Sequence, residues 1–245
     1  MEEEIKTHNS PFTVLVEGNI GSGKTTFLNY FKQQQHQNVC ALLERVEMWK
    51  NCGGHNLLLY MYEDRERWGF TFQSYVQLTM LKQHTFKTNS PIKLMESSVY
   101  SSRYCFVEKM ISDGILPSPS ASVIDEWFKW ITSNAFCSVD LISEYYYDIC
   151  SFVQYFIIVY LRTSPEVVYQ RMRERNRDEE KSVSLQYLSE IHEMYENWLY
   201  HKTAFTCQAS VLIVNADLDK FAILEEYQKV IPNIFGACLN ESSSS

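Results

Sequence analysis

No two of the seven cysteines in this chain form a C-x-x-C pair, and their odd number and wide spacing, at positions 40, 52, 105, 137, 150, 207 and 238, fit reduced thiols better than disulfides or a zinc site. A reducing compartment is implied. Basic residues are in deficit: 22 Lys and Arg against 30 Asp and Glu give a net charge of −8. That balance argues against a general polyanion-binding surface and against nucleic acid as a partner, so the one basic cluster is local and suits a small anionic ligand. No apolar run is long and clean enough to span a bilayer, which excludes a membrane partner of that kind. The start, Met1-Glu2-Glu3-Glu4, lacks an apolar core, which excludes a secretory signal and disfavours a mitochondrial presequence, and a cytoplasmic location, or a nuclear one, is expected. There is no internal repeat, and low complexity is confined to Ser242-Ser243-Ser244-Ser245.

What is present is enough apolar content, 45%, to build the core of one α/β domain over the 245 residues. Gly18-Asn19-Ile20-Gly21-Ser22-Gly23-Lys24, followed by Thr25 and Thr26, fits G-x-x-x-x-G-K-[ST] and follows the apolar run Phe12-Thr13-Val14-Leu15-Val16. In such a loop the backbone N–H groups wrap phosphate, Lys24 reaches the outer phosphates, and Thr25 can offer an oxygen to Mg²⁺. The context is right as well, because Thr26-Phe27-Leu28-Asn29-Tyr30-Phe31 carries apolar residues at helical spacing. A nucleoside triphosphate is the expected ligand.

Five short runs read as buried parallel strands: Phe12 to Glu17, Val39 to Glu44, Ile92 to Glu96, Tyr155 to Leu161 and Val211 to Asn215. Helices are expected from Phe70 to Phe86, from Ser98 to Ser112 before Gly114, from Val123 onward behind a capping box of Ser122 and Asp125, from Ser164-Pro165, and from Leu185 through Trp198. Strands alternating with helices predict a parallel sheet covered on both faces, with ligands at the carboxyl ends of its strands.

Three strands end in a carboxylate, Glu17, Glu44 and Glu96. Glu17 abuts the phosphate loop, where a structural role suffices. Glu44 and Glu96 are candidates for general base and for metal or hydroxyl partner, against the commoner use of such residues as caps or ion-pair partners. Arg171, Arg173, Arg175 and Arg177 alternate along seven residues, with Arg162 before them. With only Glu174 interleaved they would repel one another unless an anion neutralised them, which favours a lid over transferring phosphate. Trp49, Tyr62, Phe72 and Phe106 read as core, whereas the helix-borne amide of Gln73 needs a partner that a nucleobase edge can supply.

Taken in order, Glu44-Arg45-Val46-Glu47-Met48-Trp49, Asn56-Leu57-Leu58 with Met61-Tyr62, Phe72-Gln73-Ser74-Tyr75-Val76, Ser102-Arg103-Tyr104-Cys105-Phe106-Val107-Glu108 and Leu161-Arg162-Thr163-Ser164-Pro165-Glu166-Val167 resemble the deoxynucleoside kinase family, which includes deoxycytidine, deoxyguanosine, mitochondrial thymidine and insect multisubstrate kinases. The resemblance covers nearly the whole chain. It implies an α/β P-loop kinase fold with a five-stranded parallel sheet flanked by helices and an arginine-rich lid, here over residues 1–236, with 237–245 a disordered tail. It implies transfer of the γ-phosphate of ATP, with Mg²⁺, to the 5′-hydroxyl of a deoxynucleoside in salvage. By the same resemblance Glu44 is the base, Tyr62 and Glu180 hold the 3′-hydroxyl, Gln73 pairs with the base edge, Phe106 stacks on it, and Ile20, Trp49 and Phe72 wall the pocket. Lys24, Arg171, Arg175 and Arg177 act on the phosphates, and Thr25 and Glu96 are the metal candidates. Val76, Met80 and Ser102 fall where base preference is set and resemble pyrimidine-favouring, broad-specificity members. A homodimer is implied too, through helices that include Ser98 to Ser112 and Val123 to Ile142.

Three departures stand out. Glu44-Arg45-Val46 replaces Glu-Pro-Val, which loosens the backbone beside the base without removing its carboxylate. Glu96-Ser97-Ser98 replaces Glu-Arg-Ser, so a cation expected at the reacting hydroxyl is missing; Arg45 would substitute only if its strand-end side chain reached the same face as Glu44. The sixteen residues 143–158 form an anomalous insertion with six aromatics and no Lys or Arg. They are either a retained short intron or a native variant in which Tyr155 to Ile158 rebuild the strand. The missing cation and the insertion keep open an alternative, a catalytically impaired paralogue that binds nucleoside or nucleotide. A regulatory GTPase is disfavoured by the absence of an Asn-Lys-x-Asp motif.

Overall fold

The computed structural model describes residues 11–34, 38–134, 156–207, 209–219 and 221–242, the last six of these as backbone alone. Its sheet is built from five strands: β1 (Phe12–Glu17), β2 (Val39–Leu42), β3 (Ile92–Glu96), β4 (Ile157–Arg162) and β5 (Ser210–Asn215). All four pairings are parallel, in the order β2-β3-β1-β4-β5. Near-continuous apolar runs form such strands because both sheet faces are covered. Along β1, Val14 and Val16 enter one core, where α1 (Lys24–Gln34) and α10 (Ala222–Ser242) supply Phe27, Leu28, Phe31, Tyr227 and Ile234. Leu15 enters the other, beneath α8 (Pro165–Arg175) and α9 (Leu185–Tyr195), with Met172, Leu188, Ile191 and Trp198.

A third apolar cluster stands at the carboxyl edge of β2 and β3. It joins α2 (Val46–Lys50), α3 (Leu57–Glu63), α4 (Arg65–His84) and α7 (Ser118–Ser133) through Trp49, Leu58, Met61, Phe72, Val76, Met80 and Ile124. Between α4 and α7, one helical rod runs from α5 (Val99–Ser101) through a π-helical turn, Ser102–Val107, to α6 (Glu108–Ser112). No helix of the described residues is long and apolar enough to cross a membrane.

Strand positions agree closely with the sequence reading, with differences at the ends. β2 stops at Leu42, because the chain turns through Arg45, whose carbonyl accepts from the Met48 amide, into a helix that the sequence reading lacked. α4 begins five residues before Phe70, where the Asp64 side chain accepts from the Arg67 amide and so caps it. The capping box expected at Ser122 and Asp125 is not formed. α7 starts at Ser118 with a proline in its first turn; Ser122 Oγ donates back to the Ser118 carbonyl, and Asp125 pairs with Arg103 instead. α3 and α10 are likewise additions, and α10 continues to Ser242, so helical backbone occupies 237–242 where a tail was expected. Of the 143–158 segment, 143–155 lie outside the described residues. Its last residues are integral to the sheet: Ile157 and Ile158 pair with Val14 and Leu15, and Phe156 is buried against the Tyr100 ring. Excision of 143–158 therefore requires Leu141 and Ile142 to take those two strand positions.

Candidate active site

β1 ends against the glycine loop, and two backbone approaches there permit no side chain. A Cβ on residue 18, where φ is +147°, would lie 2.8 Å from the Leu161 carbonyl oxygen, and one on residue 21, where φ is +80°, would lie 2.9 Å from that of Val168. Asn19 fixes the loop from behind, donating from Nδ2 to the Leu188 carbonyl at 2.8 Å and accepting the Ile20 amide at 2.8 Å. Lys24 Nζ donates to the carbonyls of Gly18 and Asn19 at 2.8 and 2.9 Å.

Because β3 lies between β1 and β2, the carboxyl ends of these three strands converge on the loop, at the point where the strand order reverses. Thr25 Oγ1 donates to Glu96 Oε1 at 2.5 Å, and the Glu44 amide donates to Glu96 Oε2 at 3.1 Å. The two residues singled out as metal candidates, Thr25 and Glu96, are thus in contact, and Glu44 is tied to them. Burial pushes the Glu44 carboxyl above its ordinary range; Lys24 opposes this, the Glu96 charge adds to it, and a Ser97 hydrogen bond and Arg177 oppose it. A carboxylate so poised suits a general base. Glu17 is different. It is fully buried, Ser98 Oγ donates to its Oε1 at 2.5 Å, and burial raises its pKa to about 7 against hydrogen bonds from Ser98 and Ser101.

Lys24, Thr25, Glu44 and Glu96 open onto one cavity of about 1040 Å³, at the upper end of the roughly 300–1,000 Å³ usual for a small-ligand site. Ile20 through Thr26, Glu44, Glu96 and Ser97 line its middle. Trp49, Tyr62, Phe72, Gln73, Val76, Met80, Ser102, Phe106 and Glu180 line it too, so that with Ile20, Glu44 and Glu96 every nucleoside-pocket residue named from the sequence faces this one cavity, together with Met110 and Tyr187. Gln73 is buried, and Ser102 Oγ donates to its Oε1 at 3.3 Å. Burial, with Tyr187 and Glu180 nearby, holds the Tyr62 phenol well above its ordinary pKa and hence neutral.

The basic cluster divides. Arg171, Arg175 and Arg177 line the cavity, but Arg173 lies on the Tyr169 ring, and Arg162 pairs with Glu196 and covers the Tyr200 ring outside it. The repulsion expected among them is relieved within the chain. Glu180 accepts from Arg175 Nη2 at 2.7 Å and from Arg177 Nη1 at 2.9 Å, while Arg171 donates to the carbonyls of Ala216 and Leu218. Arg45 does not line the cavity, so it does not stand in for the cation absent at Ser97. The far side, Ala216, Leu218, Asp219, Ile223, Leu224 and Tyr227, was missed. Apolar residues at 223, 227, 230 and 234 carry the helical spacing that would have found it, interrupted by Pro232 inside the helix.

Glycine loop, base-like carboxylate and arginine-bearing helix on a parallel sheet define a phosphotransferase of the P-loop kinase class. The chain belongs to the deoxynucleoside kinase family: the family model described as deoxynucleoside kinase matches residues 14–237. It is 44% identical to mitochondrial thymidine kinase 2 of Homo sapiens over 216 residues, covering 88% of this chain and 75% of that protein. It is 30% identical to the deoxycytidine kinase of Mus musculus, covering 84% of each, and 29% identical to a probable deoxycytidine kinase of Fowlpox virus, covering 94% of this chain and 88% of the other.

The buried Glu17 generates a stability prediction. Its pKa is about 7 folded against an ordinary 4.5, so between those values the unfolded chain ionises first and stability falls with rising pH, by about 3 kcal/mol across the window. Glu17→Gln keeps an acceptor for Ser98 and removes the titration. Its melting temperature relative to the native chain should rise between pH 5 and pH 8, measured by calorimetry at both; an unchanged difference would show that Glu17 is already ionised at pH 5.

Proposed function

We propose that this chain transfers the γ-phosphoryl group of ATP to the 5′-hydroxyl of a deoxynucleoside, with pyrimidines favoured and specificity broad. The observation that carries the reading is that Glu44 lines one cavity together with the phosphate loop and Gln73. Glu44 takes the hydroxyl proton as the 5′-oxygen forms its bond to phosphorus and the bond to the ADP oxygen breaks. Lys24 and the loop amides hold the outer phosphates, and Arg171, Arg175 and Arg177 offset charge on the migrating group. Tyr62 and Glu180 hold the 3′-hydroxyl. Gln73 meets the base edge, Phe106 stacks on the base, and Ile20, Trp49 and Phe72 close the walls. Val76, Met80 and Ser102 line the same cavity, and their small and apolar groups, which resemble those of pyrimidine-favouring members, support the pyrimidine preference.

Thr25 and Glu96 offer two hard oxygens beside the loop, the donor type Mg²⁺ takes when phosphates and water complete its shell. Among the described residues there is no group of three His, Cys, Asp or Glu that could hold a metal on its own, which agrees with a cation that arrives on the nucleotide. Held by Thr25 and Glu96, Mg²⁺ would supply Lewis-acid stabilisation of the charge on the phosphates. The described cysteines, 40, 52, 105 and 207, are free thiols, which supports a reducing compartment; the cytoplasm is the location we propose.

Glu44→Gln keeps shape and removes basicity. Thymidine binding measured by calorimetry should survive, while kcat in a coupled assay over the four deoxynucleosides falls by roughly 10²-fold or more. Equal losses in binding and rate would assign Glu44 a structural role.

Ser97 favours the second reading, an impaired nucleoside-binding paralogue, because a neutral hydroxyl bonded to Glu44 stands where the family resemblance calls for a cation. Ser97→Arg should raise kcat, with little change in KM, by up to roughly 10²-fold if the chain is an enzyme limited by that charge. No gain in a folded variant would show that another group already serves, or that the chain has left this chemistry.

The homodimer is also part of the proposal. Val123, Trp127 and Trp130 are 45%, 53% and 51% exposed and recur along one stripe of α7, an apolar face of the kind that a second copy covers. Trp127→Asp should shift the protein to monomer in sedimentation velocity, and an unaltered sedimentation coefficient would remove this face from the interface.

A further inference from the structure

Glu96 ends β3 and Glu44 follows the end of β2 by two residues, and the local bond between them is a single one, from the Glu44 amide to Glu96 Oε2. Behind them lies the last turn of α4, whose Gln83 and His84 are buried and line no part of the cavity. Gln83 Nε2 donates to the carbonyl of Leu43 at 2.5 Å, one residue before Glu44. His84 Nε2 accepts the amide of Val99 at 3.3 Å, three residues beyond Glu96, and the His84 carbonyl accepts from Lys93 Nζ on β3 at 2.7 Å. Only a neutral imidazole can accept there, and burial together with the Lys93 charge keeps it neutral, lowering its pKa to about 3.

The contacts close on themselves. From Gln83 they pass to Leu43 and Glu44, across to Glu96, along the chain to Val99, and back to His84, the covalent neighbour of Gln83. Ser97, bonded to Glu44 and held at a φ of +61°, sits inside the circuit. A left-handed serine persists where its surroundings over-determine it, and here both of its flanks are tied. The same helix carries Phe72, Gln73, Val76 and Met80 into the nucleoside side of the cavity.

We infer that Gln83 and His84 are positioning residues, which set the distance between the carboxylate-bearing segments of Glu44 and Glu96 and reference both to the helix that contacts the nucleoside. The inference rests on the phosphotransfer reading for its kinetic consequence, though not for its structural one. A misplacement of about 1 Å from outside the reacting centre can cost up to roughly 10²-fold in rate, and the loss falls on kcat because the pocket walls are untouched.

The test uses the full chain with Gln83→Met and His84→Phe, which remove the donor and the acceptor at similar size, and His84→Gln, whose amide oxygen can replace Nε2. With thymidine and Mg-ATP, the first two should lose roughly 10- to 100-fold in kcat with KM for thymidine within about threefold, and His84→Gln should recover most of the rate. Backbone amide exchange followed by NMR supplies a readout independent of turnover. Gln83→Met should accelerate exchange at Val99, and His84→Phe at Glu44, each by roughly tenfold while β1 is unchanged. Those are the residues on the opposite arm of the circuit, which separate local bonds would leave alone. Variants that exchange faster only at their own partners, or that keep native kcat while the native chain is active, overturn the proposal. A native chain without turnover refutes the phosphotransfer reading instead, and the exchange pattern then decides the circuit. If His84→Phe does not fold, Gln83→Met alone decides through Val99.

Discussion

Parallel pairing of β1 with β3 is the constraint on which the cleft depends. Its register sets Val16 opposite Glu96, so the strand that launches the glycine loop and the strand that delivers a carboxylate finish side by side. The Thr25 hydroxyl, at the start of α1, then falls within reach of Glu96. A slip of one residue would send Glu96 to the opposite sheet face and separate it from both Thr25 and Glu44. Both faces of β1 are packed with large apolar side chains, and it is this packing that forbids the slip.

The cleft also solves a problem of charge. Three guanidinium groups crowd its rim in a protein whose net charge is −8. Glu180 satisfies two of them and backbone carbonyls hold the third. Each arginine is therefore held by bonds that a phosphate oxygen could replace, and Glu180 joins the lid to the same cavity wall as Tyr62.

Much of this was legible in the sequence because the signals are local. Gly18 through Thr25 announces a phosphate loop by residue type alone, and Glu96 at the end of β3 and Glu44 two residues beyond β2 follow from where apolar runs stop. Helix α8 was equally plain from Ser164-Pro165. What escaped reading depended on remote partners or on weak periodicity. α2 and α3 are short and take their order from the apolar cluster around Trp49. The start of α7 is set by Pro119, whereas the capping-box pattern at Ser122 is overridden because Asp125 finds Arg103 across the structure. The division of the arginines could not be read, since Arg162 is drawn away by Glu196 and Arg171 is held at the cleft by the carbonyls of Ala216 and Leu218, all of them far along the chain.

The π-helical turn Ser102–Val107 bears on how this pocket can change. Its wider winding keeps Ser102, Phe106 and Met110 all directed at the cavity, a use of such turns that recurs at functional sites. Removing one residue would return the rod to ordinary winding and rotate everything beyond it by about 100°, taking Met110 out of the wall and Lys109 away from Glu190. Substitution in the turn carries no such penalty. This wall of the cavity is thus open to variation in side-chain identity and closed to variation in length, so a cavity of altered shape is reached here by exchanging residues at an unchanged spacing.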